Sequence, residues 1–303
     1  MGNTAAAPSG AERKAGVWAH AHDRILLMKP RVMSLVVFTG AVGVVVAPAP
    51  FSLETLLVTI VCVAVGAGAC GALNMWYDAD IDSVMRRTAL RPIPTGRVSP
   101  REALVFGLVL AIGSVAVCAW RLNPMSAAIL ALTIGFYIFV YTVALKRRTP
   151  YNIVIGGAAG AFPPMIGWAA ATGEVSLGSL SLFLIIFLWT PPHFWALALF
   201  RSGDYERAGV PMLPVVAGVD ETSRQVLLYT VLLVASSFVP VALGFEGPFY
   251  AAVAAVLGAR FLQRAYELRH AAPGMHDKAA KRVFGFSIAY LFLLFVALVL
   301  GVR

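Results

Sequence analysis

Charge is what this sequence has least of. Only 13% of its 303 residues are Asp, Glu, Lys or Arg, whereas 59% are hydrophobic; a water-facing domain carries about a quarter charged residues. The deficit excludes an ordinary soluble fold and makes the bilayer the natural solvent. Cysteine is scarce as well. Cys62, Cys70 and Cys118 all fall inside apolar runs, where the expected role is that of a small buried hydrophobe rather than a disulfide or metal site. Strand-like alternation is missing, which leaves helices rather than a barrel to satisfy the backbone in lipid. No persuasive Ser/His/Asp or Cys/His constellation for covalent catalysis is present. No apolar run of signal-peptide length precedes Arg31, so no cleaved leader is expected.

What is present is apolar length. Nine runs are long enough to cross about 30 Å of hydrocarbon. They lie near 31–48, 53–76, 102–120, 124–145, 151–171, 179–200, 225–243, 248–264 and 283–301. The prediction is an all-α polytopic membrane protein with nine transmembrane helices, one domain over 25–303 behind a flexible cytoplasmic tail at 1–24. If the runs alternate, all 24 Lys and Arg except Arg121 and Arg303 fall on one side. By the positive-inside rule the N-terminus is then cytoplasmic and the C-terminus outside. The same bias accounts for the net charge of +9, so no nucleic-acid partner is needed to explain it.

Acids are informative where charge is so sparing. Glu54, Glu174 and Glu246 are expected in turns on the outer side. The run Asn74-Met75-Trp76-Tyr77-Asp78-Ala79-Asp80-Ile81-Asp82 instead packs three carboxylates at a membrane boundary, where they repel unless a cation joins them. Asn74, Asp78 and Asp82 recur every four residues and form one helical stripe, with Asp80 on roughly the opposite face. Such an open set of oxygen donors suits Mg²⁺, which completes its shell with water and phosphate oxygens; a helix end with solvated acids is the plainer reading. The segment then turns basic, with Arg86, Arg87, Arg91 and Arg97 among Pro92, Pro94 and Gly96. Guanidinium forks match phosphate oxygens and propionates alike. A weaker copy follows a later apolar run: Arg201-Ser202-Gly203-Asp204-Tyr205-Glu206-Arg207, then Pro211. Two such loops, about four helices apart, would face each other across one diphosphate. Asp204 is the stronger ligand candidate and Glu206 the weaker.

These motifs, together with the Tyr141 to Arg147 segment, resemble the UbiA-type intramembrane prenyltransferases. Longer strings resemble the branch that farnesylates heme: Asn74 to Asp82, Arg87 to Arg97, Lys146 to Gly157, Pro191 to Ala198 and Asp204 to Val216. The likeness runs from about residue 25 to the C-terminus. It departs at the second acidic motif, where the family generally carries two or more Asp and this chain has Asp204 with Glu206.

The resemblance implies a UbiA-type bundle whose active-site loops lie on the cytoplasmic side of a bacterial inner membrane. It implies transfer of farnesyl from farnesyl diphosphate to a vinyl group of heme b, with addition of water, giving heme O and diphosphate. Asn74, Asp78, Asp82 and Asp204 would hold Mg²⁺, with Lys146 as a further catalytic group. Arg87, Arg91, Arg97, Tyr141, Arg147, His193 and Tyr205 would contact substrates, and heme–copper oxidase assembly proteins would be neighbours. His193 follows Pro191-Pro192, which are expected to kink their helix; contact with heme or a phosphate, and a bond to a carbonyl freed at the kink, are both open. Trp76, Tyr77, Tyr141, Phe194 and Trp195 suit an allylic cation, but core packing explains each single ring better. A quinone-precursor ring or chlorophyllide is the alternative acceptor. An ion transporter is the alternative class, although transporters place their binding groups near the bilayer midplane.

Overall fold

A computed structural model describes residues 21–301, apart from the side chains of residues 31 and 32. The expected tail over 1–24 therefore lies almost wholly outside the described residues. Every predicted run is helical, and no strand occurs among the described residues. The long elements are α1 (Pro30–Val46), α2 (Leu53–Tyr77), α4 (Pro100–Arg121), α5 (Pro124–Gly135), α6 (Asn152–Ala161), α7 (Pro163–Thr172), α8 (Leu177–Leu199), α11 (Gly218–Ser236), α13 (Pro248–Arg269) and α14 (His276–Gly301). Short helices fill the connections: α3 (Ala79–Val84), α9 (Ser202–Arg207), α10 (Leu213–Val216) and α12 (Val239–Ala242).

Seven helical stretches are long and apolar enough to cross a membrane, counting α5 with the π-helix that follows it to Leu145, α6 with α7, and α11 with α12 as one stretch each. The nine-span expectation is met only to that extent, for two physical reasons. Helix α1 has only 17 residues, and its first turn carries Arg31. The last part of α13 carries Arg260, Arg264, Glu267 and Arg269.

Two packed cores divide the bundle. One joins α2, α4, α5 and α7 around Cys62, Leu130 and Ile166; the other joins α8, α11, α13 and α14 around Leu182, Tyr250, Phe261 and Tyr290. Helix α1 sits between them, touching α2, α7 and α14. Its crossing with α7 is glycine-made: a Cβ on Gly43 would strike the Pro164 carbonyl, and one on Gly167 would strike that of Gly40. Small residues of this kind let helix backbones close without a hydrophobic drive in lipid. All three cysteines are buried and unpaired.

Helix α5 does not continue as an α-helix. From Phe136 to Leu145 it widens into a π-helix, and the Lys146 amide reaches back to the Tyr141 carbonyl at 2.9 Å. Ten residues of π-helix is unusual, because the form normally appears as a single turn near functional sites. Here it sets the angle at which Tyr141, Thr142 and Lys146 meet α2.

Candidate active site

The chain leaves α2 at Tyr77, with Asp78 as its C-cap, and restarts as α3 one residue later. The helical spacing survives this break. The Asp78 amide bonds the Asn74 carbonyl at 2.9 Å, and the Asp82 amide bonds the Asp78 carbonyl at 2.8 Å. Asn74, Asp78 and Asp82 therefore form the expected stripe, and all three are buried, Asp78 completely. Asp80 points away, with its side chain 66% exposed.

Buried carboxylates at a membrane boundary need counter-charge, and each finds it. Lys146 Nζ donates to Asp78 Oδ2, which also accepts from Asn74 Nδ2 at 2.7 Å. Arg91 Nη1 donates to Asp82 Oδ2 at 2.5 Å. Arg147 forks onto Asp80 at 2.8 and 2.7 Å, caps the Tyr77 carbonyl and lies 5.2 Å over the Tyr77 ring. The Asp80 carboxyl consequently sits below its ordinary range. Arg147 Nη2 also stands 3.5 Å from Asp78 Oδ1, an oxygen that is buried without any hydrogen bond.

Two further residues of this cluster were not singled out as site residues in the sequence, although Thr142 lies in the Tyr141 to Arg147 segment. Lys29, counted there only as a topology charge, donates from Nζ to Asn74 Oδ1 at 2.7 Å. It holds a left-handed backbone at φ 56°, unusual for a residue with a side chain. Burial, and then the charges of Arg91 and Lys146, bring its amine down to about 7. Gly71 makes the approach possible: a Cβ there would stand 2.9 Å from the Leu27 carbonyl oxygen and 3.1 Å from that of Met28. Thr142, on the π-helix, accepts from Asn74 Nδ2 at 3.3 Å.

The second loop packs onto the first. Ile81 and Met85 share one apolar cluster with Ile153, Ala198, Val210 and Met212, and Tyr141, Phe194 and Tyr205 lie against it. Tyr205 feels the charges of Arg87, Lys146 and Asp204, and its own burial raises its hydroxyl above the ordinary value. Asp204 is buried and accepts from Arg207. Gly156 leaves room for the Tyr141 ring, whose Cδ2 would collide with any Cβ there. Arg97 does not join the carboxylates: it bonds Asp23 at 3.0 Å and the Leu90 carbonyl at 3.1 Å. His193 lies deeper, on α8, and bonds Ser287 rather than a freed carbonyl. Trp195 is fully buried in the second core against Tyr229, and Trp76 packs with Leu27 and Met75. Of the aromatic candidates, Tyr141 and Phe194 lie against the apolar cluster that joins the two loops.

The donor set fits Mg²⁺ in chemistry, with hard oxygens from an amide and carboxylates. The unbonded Asp78 Oδ1 is the observation that speaks for it. As they stand, no three acidic or imidazole side chains among the described residues converge into a closed cage. An open site of this kind leaves the remaining positions of the shell to water or to an anionic ligand.

Fold and site together define a class: an integral membrane protein whose helical bundle buries a charge-paired stripe of carboxylates. The chain belongs to the UbiA prenyltransferase family, whose pattern matches residues 35–296. It is 58% identical over 294 residues to the protoheme IX farnesyltransferase of Parvibaculum lavamentivorans, covering 97% of this chain and 91% of that one. It is 59% identical over 278 residues to the enzyme of the same name from Azorhizobium caulinodans, covering 91% and 90%. The fold also matches solved structures. A UbiA homologue from Aeropyrum pernix superposes with a TM-score of 0.72 at 22% identity, over 89% of this chain and 98% of the other. A UbiA homologue from Archaeoglobus fulgidus bound to DMAPP and Mg²⁺ gives 0.70 at 17%, over 90% and 99%.

Proposed function

We propose that this protein is a heme-directed farnesyltransferase, moving farnesyl from farnesyl diphosphate to a vinyl group of heme b, with water addition, to give heme O and diphosphate. The observation that carries the reading is the buried stripe of Asn74, Asp78 and Asp82 held by Lys29, Lys146 and Arg91, with the Asp204–Tyr205 loop packed against it. The high identity to named protoheme IX farnesyltransferases over nearly the whole chain supports heme as acceptor ahead of a quinone-precursor ring or chlorophyllide. An ion transporter is disfavoured by placement, since these acids gather at one end of the bundle.

Mg²⁺ on Asn74, Asp78, Asp82 and Asp204 would neutralise the leaving diphosphate as its charge develops. The chain's own residues do the rest. Arg87, Arg91 and Lys146 present fixed positive charge to phosphate oxygens. Arg147 acts chiefly by holding Asp80 and the Tyr77 carbonyl, which fixes the turn between α2 and α3. Arg97, tied to Asp23, anchors the loop. The Tyr141 and Phe194 rings shield and steady an allylic cation from the apolar side. The vinyl group is itself the nucleophile, so no activated Ser or Cys is required.

The same reading places nine crossings in a bacterial cytoplasmic membrane, with the loops and N-terminus inside, residues 25–303 as one domain, and heme–copper oxidase assembly proteins downstream. Helix α13 supports the ninth crossing. It starts beside Glu246, which lies against Gly301, and ends at Arg269, which pairs with Asp220 at the start of α11. It thus runs the bundle from end to end.

The test is acceptor competition in lipid vesicles with labelled farnesyl diphosphate, heme b and an aromatic quinone precursor. Label is expected in the heme fraction. Label in the aromatic fraction would refute heme as acceptor.

A further inference from the structure

Helix α4 takes no part in the acidic site, and it is the least buried of the membrane-length stretches. Only 22% of its apolar part is inside the protein, against 78% for α6 with α7. Its depth in a bilayer is set at both ends. Arg101 stands in its first turn, and at the far end Trp120 is 78% exposed with the Arg121 guanidinium 5.2 Å over its ring. From Arg101 to Trp120 the helix rises about 29 Å, which matches a hydrocarbon core of about 30 Å. Tryptophan gathers at such interfaces. Arg101 therefore lies at headgroup level, on the side of the bundle that carries the Arg91 and Arg97 loop.

A cavity of about 480 Å³ opens at that level between α4 and Arg24. Its wall changes character along the helix. Arg24, Ser99, Arg101 and Glu102 form the rim, and Val105, Phe106 and Val109 continue toward the bilayer interior. Val105 and Val109 lie one and two turns past Arg101 and are 53% and 62% exposed, so they face acyl chains.

The rim suits an anion. Arg24 Nη2 donates to Glu102 Oε1 at 2.8 Å, so the single acid is already paired. Arg101 makes no ion pair among the described residues. Ser99 Oγ caps α4 by accepting from the Glu102 amide at 3.2 Å, which leaves its hydroxyl proton to donate. Two arginines against one glutamate leave the rim net positive. A guanidinium fork fits phosphate oxygens, and basic recesses beside membrane helices receive anionic headgroups. A small soluble anion would leave the apolar half of the recess unfilled. A phospholipid fills both halves, with its headgroup at the rim, the start of one chain along α4, and the remainder in the bilayer.

We infer that this recess is a specific site for one anionic phospholipid, with its phosphate on Arg101 and Ser99 and one acyl chain along Val105, Phe106 and Val109. The inference is independent of which acceptor the enzyme uses. Its consequence is mechanical. Phe106 packs on the cluster of Leu27, Met75, Ile93 and Val98, which carries the neighbours in sequence of Lys29 and Asn74. A lipid seated against Phe106 braces that cluster from the bilayer side.

The test uses the purified full-length protein in nanodiscs of phosphatidylcholine with increasing phosphatidylglycerol. Lipid kept after release into detergent is read by native mass spectrometry, with melting temperatures alongside. The wild type is expected to keep one phosphatidylglycerol and to melt higher as that lipid is added. Arg101→Gln should raise the half-saturating phosphatidylglycerol fraction about fivefold. Val109→Trp, which fills the apolar half without changing charge, should displace the lipid, and Arg121→Gln at the opposite interface should behave as wild type. Melting in pure phosphatidylcholine shows that each variant is folded, and Arg101→Lys, which keeps the charge but not the fork, should fall between wild type and Arg101→Gln. Equal retention of the two lipids by the wild type would overturn the site. So would phosphatidylglycerol kept equally by Arg101→Gln and Val109→Trp, which would reduce the effect to general surface charge. A wild type that keeps no lipid, as when the chain's own N-terminal segment fills the recess, would also overturn it.

Discussion

Replacing Asp78 by Asn removes one charge and almost no volume from the centre of the site. Asp78 is fully buried, with Lys146 on one oxygen and Arg147 at 3.5 Å from the other. At an effective dielectric near 20, a charge pair at this range is worth about 4 kcal/mol, and removing one partner of a buried pair costs about 3–5 kcal/mol. The Asn oxygen still accepts from Lys146, so part of that loss is recovered in the resting protein. No such recovery exists for neutralising a leaving diphosphate, and loss of one preorganised electrostatic group there costs about 10²–10³ in rate. Asp78→Asn should therefore lower turnover by about that factor while shifting the melting temperature by only a few degrees. Asp80→Asn is the control. Its side chain is mostly exposed, its pair with Arg147 is worth about 0–1 kcal/mol, and its rate should stay within about fivefold. Initial rates of heme product in nanodiscs, with melting curves in detergent, separate the two effects. A tenth or more of wild-type rate in Asp78→Asn, or an equal loss in Asp80→Asn, would refute the reasoning.

Chelation with EDTA should stop turnover, and added Mg²⁺ should restore it; indifference would remove the metal from the account. Gly71→Val should push residues 27–28 off α2 and pull Lys29 from Asn74, costing about 1–3 kcal/mol of stability together with most of the activity. A Val variant with normal rate and melting temperature would show that the close approach does not matter. Glu246 is buried with neither oxygen bonded, and burial raises its carboxyl from 4.5 to about 7. The folded state thus holds its proton more tightly than the unfolded state, and stability falls as pH rises from about 4.5 to about 7. The melting temperature should drop between pH 5 and 8 in the wild type and stay flatter in Glu246→Gln; parallel curves would contradict this.

The apolar runs and the four-residue spacing of Asn74, Asp78 and Asp82 were readable because both follow from helical geometry. So was the exposure of Asp80 on the other face. The contacts of Lys29 and Thr142 with Asn74 were not readable, since they join residues 45 and 68 positions apart; the Tyr141 to Arg147 segment marked Thr142 only as part of a motif. The π-helix left no periodic trace, because widening the turn changes register without changing composition. Glu246 was expected simply in an outer turn, and its burial against Gly301 depends on how two distant helix ends meet. His193 was readable as an intramembrane histidine, but its partner, Ser287, comes from another helix 94 positions away.

The central claim is best tested by mass spectrometry of the hemes recovered after incubating the purified protein with heme b, farnesyl diphosphate and Mg²⁺. The account predicts a product heavier than heme b by one farnesyl and one hydroxyl group, formed in step with released diphosphate. Unchanged heme b beside released diphosphate would contradict it, leaving the acidic site intact and the acceptor wrong.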